Sequence, residues 1–273
     1  MARFNIILTE ICNAYCSHCY MNANSLGMRS TMKNEDIKSI INNMPNNTEK
    51  VVLTGGEVFL KEDLLFFALK EIRKRFADTE IEIESNGKSF YENKDKTIKT
   101  LKRLMEYKVD SIRFSLDVFH QMGGIDLCKV KSIKDTAKGL DIKIKFLEQD
   151  SAVPFGRAKM LEERYHRKSM CMNNVETLNN PYVFVDVKGN CYFCTWKISE
   201  SFGNLIEENF EKLYEKLTDL QKNILIGNID KVIKIYSEGN TKKINDLEKI
   251  AREKGQCLAC ELMFKEGKNK NGS

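Results

Sequence analysis

The sequence predicts an α/β fold, a parallel sheet with helical crossovers followed by a small cysteine-bearing unit. Three observations carry this. Strand-like and helix-like segments alternate through five strands up to Gln149. After Gln149 the pattern changes and a hairpin signal appears. The nine cysteines fall mainly into an N-terminal triplet and a C-terminal set, one for each part of the chain.

The elements follow in order. Arg3–Leu8, RFNIIL, reads as a buried strand, and Asn34–Met44 as a helix with Ile37, Ile40 and Ile41 on one face. Lys50–Glu57, KVVLTGGE, is a strand running into a Gly-Gly turn. Lys61–Phe76 is an amphipathic helix, Thr79–Gly87 an alternating strand ending in a turn, and Asp95–Tyr107 a helix. Asp110–Asp117 is a strand, Cys128–Gly139 a helix, and Leu140–Gln149 the fifth strand. Such alternation means parallel strands joined by helices. A full or partial barrel is the natural closure, with a doubly wound open sheet as its rival. Periodicity does not choose between them.

Beyond Gln149, VPFGRAK is a loop entering a short helix, and Tyr182–Trp196 reads as two strands around a Lys-Gly-Asn turn. Glu208–Leu225 is a helix, and two more helical stretches precede Cys257. The expected division is a core over 1–160, a cysteine-bearing appendage over 161–265 and a flexible tail over 266–273.

Composition narrows the function. The 273 residues are 42% hydrophobic, enough for a sizeable core. Net charge is +5, without an Arg-rich run interleaved with aromatics, so no nucleic-acid partner is expected. The Lys-rich stretch Lys129–Lys145 reads as a solvated helix face. No signal peptide and no membrane-spanning run is present, which predicts a cytoplasmic protein without a membrane partner. Thiols stay reduced there, so the cysteines point to metal or catalysis rather than disulfides.

Cys12, Cys16 and Cys19 are spaced C-x3-C-x2-C in the first βα loop, which in a β/α barrel lies on the rim where chemistry occurs. Three thiolates leave a tetrahedral zinc one ligand short. A [4Fe–4S] cluster held by three cysteines instead keeps one iron open. Iron–sulfur leads, with zinc and unligated thiols as alternatives. The second set is Cys171, Cys191, Cys194, Cys257 and Cys260. Cys191 lies three residues from Cys194, so on a regular strand it faces the other way, as a spare ligand, a buried thiol or a hydrogen-atom donor. Cys128 opens a helix and reads as a buried thiol.

The motif CNAYCSHC, with His18 in the aromatic position before the last cysteine, resembles the signature of the radical S-adenosylmethionine (SAM) superfamily. LTGGEVFL after the second strand resembles that family's Gly-Gly-Glu turn. ESNG and RFSLD resemble its ribose- and SAM-contacting strand ends. The resemblance implies a partial (β/α)6 TIM-like barrel. It implies Cys12, Cys16 and Cys19 as ligands of a [4Fe–4S] cluster whose fourth iron chelates SAM. It also implies SAM contacts from His18, Gly55, Gly56, Glu57, Ser85, Asn86 and Ser115, and a substrate or SAM-carboxylate contact from Arg157. The late cysteines resemble the auxiliary-cluster domain called twitch, a shortened form of SPASM. Carried over, Cys171, Cys194, Cys257 and Cys260 hold a second [4Fe–4S] cluster, with a four-cysteine zinc as the alternative.

Such enzymes often modify ribosomally made peptides, so the expected partners are a precursor peptide with its leader and an electron donor such as flavodoxin or ferredoxin. With 11 residues ahead of Cys12, no fused leader-binding module is expected there. The reactions considered are epimerisation and a thioether or carbon–carbon cross-link. An epimerase needs a thiol donor. Peptide epimerases are expected to carry it directly after the hairpin ligand, where this chain has Thr195. Cys191 is the candidate donor, although four residues of strand, about 13 Å, separate it from that place. The alternatives are a radical SAM dehydrogenase of a small molecule and a non-catalytic iron–sulfur or zinc protein.

Overall fold

The computed structural model describes residues 1–25, 29–91, 93–169, 171, 173, 175–197 and 199–270. Residues 271–273 of the expected tail lie outside them. Six parallel strands form the sheet: β1 (Ala2–Thr9), β2 (Thr48–Gly55), β3 (Glu80–Ser85), β4 (Ser111–Ser115), β5 (Lys143–Leu147) and β6 (Tyr182–Val185). Two antiparallel strands, β7 (Asn190–Tyr192) and β8 (Gly203–Asn204), extend it. The spatial order is β5-β4-β3-β2-β1-β6-β7-β8.

This is the expected partial β/α barrel, with one difference. The sixth parallel strand does not follow β5. It lies on the far side of β1, in register Arg3↔Tyr182 to Ile6↔Val185, and is the first strand of the hairpin. The cysteine-bearing part therefore shares its sheet with the core.

The helices between the core strands are α1 (Asn34–Asn43), α2 (Glu62–Arg75), α3 (Lys88–Tyr91), α4 (Lys94–Glu106), α5 (Val118–Met122) and α6 (Leu127–Thr136). Ile37 and Ile40 of α1, Leu65 and Leu69 of α2, Leu101 and Leu104 of α4, and Val130 of α6 are fully or almost fully buried. They share one apolar core with Phe4, Ile6, Val51, Leu53, Ile81, Ile83, Ile112 and Phe114 of the sheet. Strand alternation sends the intervening residues to the opposite face. There Lys50 bridges Glu80 (3.0 Å) and Glu82 (3.1 Å), and Lys145 and Arg113 also reach Glu82, at 2.6 and 3.2 Å. Glu84 pairs with Arg113 and accepts from Thr54 Oγ1 at 2.7 Å. One face of the sheet is thus oily and the other carries a ladder of paired charges.

The C-terminal helices are α7 (Phe210–Glu215), α8 (Asp219–Leu225), α9 (Ile229–Tyr236), α10 (Thr241–Glu253) and α11 (Gln256–Lys270). The single helix expected over Glu208–Leu225 is two. Thr218 caps a new start, its hydroxyl accepting from Gln221 N while the Gln221 side chain accepts from Thr218 N. Cys128, expected to be buried, is exposed in the first turn of α6. Among the described residues no helix is long and apolar enough to cross a membrane.

Candidate metal and cofactor site

The triplet sits in the loop leaving β1, and the turn after β2 is fastened to it. Gly56 N donates to Thr9 O (2.7 Å) and Glu57 N to Ile11 O (2.8 Å). A Cβ on Gly55 would lie 2.5 Å from Thr9 O, and one on Gly56 would lie 2.2 Å from Ile11 O and 3.0 Å from Cys12 Cβ. Both glycines are needed for this loop-to-loop approach.

Glu57 is fully buried, and burial pushes its carboxyl up to about 7. It accepts from Phe59 N (3.1 Å), Ser85 Oγ (3.0 Å) and Asn86 N (2.8 Å). Asn86 Nδ2 in turn donates to Asn13 Oδ1 (2.9 Å) and approaches Cys12 Sγ at 3.6 Å. The residues singled out in TGGE and ESNG therefore form one brace behind Cys12. Ala14 N adds a second donor to that sulfur, at 3.4 Å.

Burial pushes the Cys12 thiol up to about 11 and Cys16 to about 12. Uncompensated thiolates are costly there, yet two N–H groups aim at Cys12 Sγ. Buried sulfurs with aimed donors suit thiolates on a cationic centre. The residues present fit a cluster held by Cys12, Cys16 and Cys19.

His18 stacks on Phe119 (4.7 Å) and meets His120 edge-on (4.9 Å). Asp117 caps α5, accepting from His120 N at 3.0 Å and pairing with His120 Nδ1 at 2.9 Å. Its other oxygen lies 4.0 Å from His18 Nε2. Burial, then the neighbouring His120, pushes His18 down to about 4, so its imidazole is neutral at pH 7. Burial alone would raise Asp117, but the His120 contacts pull it below the usual carboxylate value. His18 Nδ1 and Asp117 Oδ2 are buried without a hydrogen-bond partner. Ser115 ends β4, two residues before Asp117. The sequence singles out His18 and Ser115 but not Asp117 and His120, whose signal is the rest of SLDVFH. Nor does it single out Gly123, where a Cβ would sit 2.9 Å from Cys16 Sγ.

Arg157, expected to face substrate or SAM, buckles the cysteine loop. Its Nε donates to Cys16 O (2.8 Å), its terminal nitrogen to Ala23 O (3.0 Å) and its backbone N to Cys19 O (3.1 Å), while the guanidinium covers the Tyr15 ring at 4.1 Å. Gly156 before it has φ +54, and a Cβ there would lie 2.5 Å from Cys19 O and Tyr20 O.

The second set comes from distant stretches. Cys171 lies in a loop, Cys194 just past β7, and Cys257 and Cys260 in the first turns of α11. Burial raises the Cys260 thiol, and the field of Cys194, Cys171 and Cys257 raises it further. Cys191 stands apart. It is fully buried in β7, its Sγ directed at Gly189 O (3.6 Å), and its charged neighbour is Asp186.

Among the described residues, His18, Asp117 and His120 form the one group of three such ligand atoms all within 4.8 Å of one another. No three sulfurs of either set are that close. A single tetrahedral zinc with Zn–S of about 2.3 Å would hold them about 3.8 Å apart.

The sequence model of the radical SAM superfamily matches residues 6–144. Solved structures that share the fold include the following two. BtrN in complex with AdoMet and 2-DOIA is 16% identical with a TM-score of 0.57, over 84% of this chain and 89% of that chain. Native anSMEcpe with bound AdoMet and Cp18Cys peptide is 14% identical with a TM-score of 0.58, over 84% of this chain and 82% of that chain. No curated protein sequence gives a significant match. The match spans β1 to β5 and so takes in the cysteine triplet, the Gly-Gly-Glu brace and the β4 end, over just more than half of the chain; this chain belongs to the radical SAM superfamily.

Proposed function

We propose that this radical SAM enzyme oxidises a residue of a ribosomally made peptide, forming a thioether or carbon–carbon cross-link, rather than epimerising it. Cys12, Cys16 and Cys19 would hold the cluster, which together with SAM would supply the chemistry of hydrogen-atom abstraction from the substrate. The chain's own residues shape the rest. Gly55, Gly56, Glu57, Ser85 and Asn86 hold Cys12 in place, His18, Asp117 and Ser115 edge the SAM pocket, and Arg157 closes the loop.

The observation that favours a peptide is a set of exposed apolar side chains on segments tied to the cysteine loop. Four exposed large hydrophobics, Tyr15, Val118, Met122 and Met160, lie on segments bound to the cysteine loop. Tyr15 is in that loop. Val118 and Met122 belong to α5, whose following residue Gly123 accepts from Tyr15 N, and Met160 ends the turn begun by Gly156 and Arg157. Exposed apolar groups on segments around a site favour binding of an apolar-bearing partner, and methionine adapts to varied chains. The observation against epimerisation is the fully buried Cys191. A hydrogen donor must reach the substrate radical, and this thiol is enclosed in the β6–β8 sheet.

In this reading Cys171, Cys194, Cys257 and Cys260 would hold a second [4Fe–4S] cluster, which would accept the one electron left when the new bond forms, the first hydrogen having gone to the SAM-derived radical and the second leaving as a proton. The partners are a precursor peptide and a flavodoxin- or ferredoxin-type electron donor in the cytoplasm. The test is turnover of the anaerobically loaded enzyme with a precursor peptide encoded beside its gene, in D2O. The expected product is lighter by two hydrogens and carries no deuterium at the altered carbon. A product that gains one mass unit through deuterium identifies an epimerase. An unaltered peptide, together with oxidation of a small polyol or aminocyclitol, identifies a small-molecule dehydrogenase.

A further inference from the structure

We propose that the lysine-rich outer face of α4 and α6 docks an acidic carrier protein that delivers the electron for the first cysteine set. This rests on the reading of Cys12, Cys16 and Cys19 as ligands of a reducible cluster.

A lysine-rich helix alone reads as a solvated face. Here the charge of the whole chain is gathered on two neighbouring helices. α4 (KDKTIKTLKRLME) and α6 (LCKVKSIKDT) together carry eight Lys or Arg against three Asp or Glu. The chain has a net charge of +5, so everything outside these two helices balances to zero. α4 touches α6, and α3 packs against both. Lys99 and Lys102 of α4, Lys131 and Lys134 of α6, and Lys138 just beyond it are all exposed. Two further lysines of these helices are paired, Lys96 with Glu62 at 3.4 Å and Lys129 with Asp126 at 3.7 Å; among the described residues the five above form no ion pair.

The face is joined to the cysteine loop. Lys88, the first residue of α3, donates from Nζ to Asn13 O, between Cys12 and Cys16, at 3.4 Å. Val130 of α6 packs on Gly87, where a Cβ would lie 3.0 Å from Val130 Cγ2. Gly87 directly follows Asn86, whose Nδ2 approaches Cys12 Sγ at 3.6 Å. The helices that carry the charge therefore rest on the brace behind the first set.

The chemistry of the face selects its occupant. Among the described residues no large hydrophobic side chain is exposed on α3, α4 or α6. A peptide leader docks through apolar anchors or by strand addition, and a helical face of lysines offers neither. Tyr15, Val118, Met122 and Met160, the exposed apolar groups assigned to the peptide, lie outside these helices. Lysine is a compact, strongly hydrated charge. Such charges suit a short-lived electron-transfer complex, whose interface is small and weak and whose encounter is speeded by complementary charge. The carrier loses one electron and the cluster gains it.

The test compares two reductants in loaded enzyme, dithionite and a reduced acidic bacterial flavodoxin, with deoxyadenosine release as the readout. With flavodoxin, the wild-type rate should be highest at low salt and fall about tenfold or more by about 1 M, where screening leaves a Debye length of about 3 Å. Lys99→Glu/Lys102→Glu/Lys131→Glu/Lys134→Glu should lose about tenfold or more of the flavodoxin-supported rate at low salt. It should keep the wild-type rate with dithionite, which needs no docking. The same change of charge placed on α9 and α10, Lys231→Glu/Lys234→Glu/Lys242→Glu/Lys249→Glu, should match wild type with both reductants. A wild-type flavodoxin rate indifferent to salt overturns the docking face, and so does an equal loss from reversal on α9 and α10. An α4/α6 variant that keeps its flavodoxin rate but needs more peptide for half-maximal turnover assigns the face to the peptide and overturns the carrier. Wild type that releases no deoxyadenosine with dithionite overturns the cluster reading, and this inference with it.

Discussion

The two cysteine sets are built in opposite ways. Cys12, Cys16 and Cys19 lie on one loop, and the fold's contribution is to brace it from behind through Gly56, Glu57 and Asn86 and to buckle it through Arg157. Cys171, Cys194 and the Cys257/Cys260 pair come from three separate stretches and could share a centre only once the C-terminal part has folded. The first set is a local motif supported by tertiary structure; the second is itself a product of tertiary structure. Damage to the first should act on chemistry directly. Damage to the second should pass first through folding.

The largest predicted effect separates the sets by cysteine. Changing Cys12, Cys16 and Cys19 to Ala should abolish deoxyadenosine release from SAM and remove about four irons. Changing Cys257 and Cys260 to Ala should also remove about four irons but leave deoxyadenosine release within a few-fold of wild type, while the modified peptide disappears. Release of deoxyadenosine by the triple variant would break the assignment of the first set. Its loss in the double variant would show that the sets do not act separately.

The same contrast explains what could be read from the sequence. The triplet and TGGE are short-range patterns, and their spacing was enough to place them in successive βα loops. The five core strands were legible for the same reason, since each crossover fixes its neighbour. β6 was not. YVFV reads as a strand anywhere, and its pairing with β1 rather than β5 is a long-range choice with no local signature. Arg157 was visible in PFGRAK, but its partners are the carbonyls of Cys16 and Ala23, and a backbone acceptor has no residue identity to recognise. Asp117 and His120 went unnoticed because their role depends on His18 arriving from another loop.

The next prediction uses glycines, one beside each set. Gly56→Ala forces a Cβ to 2.2 Å from Ile11 O, and Gly227→Ala forces one to 2.2 Å from Asn173 O and 3.4 Å from Cys171 Sγ. Crowding of this kind costs about 1–3 kcal/mol, and Gly227 adds the strain of φ +66. Both variants should melt lower in thermal unfolding. Gly56→Ala should also weaken SAM binding in equilibrium titration, because it moves Cys12. Gly227→Ala should leave SAM binding unchanged and lower only the iron content. Equal effects on SAM binding would mean that the two sets are mechanically one unit.

The smallest effect sharpens the brace behind Cys12. Two buried carboxyls of this fold are shifted in opposite directions. Burial favours raising Glu82, but Lys145, Arg113 and Lys50 pull it down to about 2. Among the described residues Glu57 is paired with no Lys or Arg, and burial carries it up to about 7. A carboxyl whose folded value is depressed contributes stability that is present above its unfolded value, near 4.5, and lost as pH falls toward 2. A carboxyl whose folded value is raised does the reverse: its contribution is present below 4.5 and lost as pH rises through about 7. Across pH 5 to 8, where Glu82 stays ionised, Glu57 should therefore make wild type lose stability with rising pH relative to Glu57→Gln, which has no proton to release. The check is the difference in melting temperature between the two proteins at each pH, which cancels the titration of all shared groups. A flat difference would mean that the donors Phe59 N, Ser85 Oγ and Asn86 N hold Glu57 ionised throughout, and the brace behind Cys12 would then carry a full negative charge beside the cluster loop.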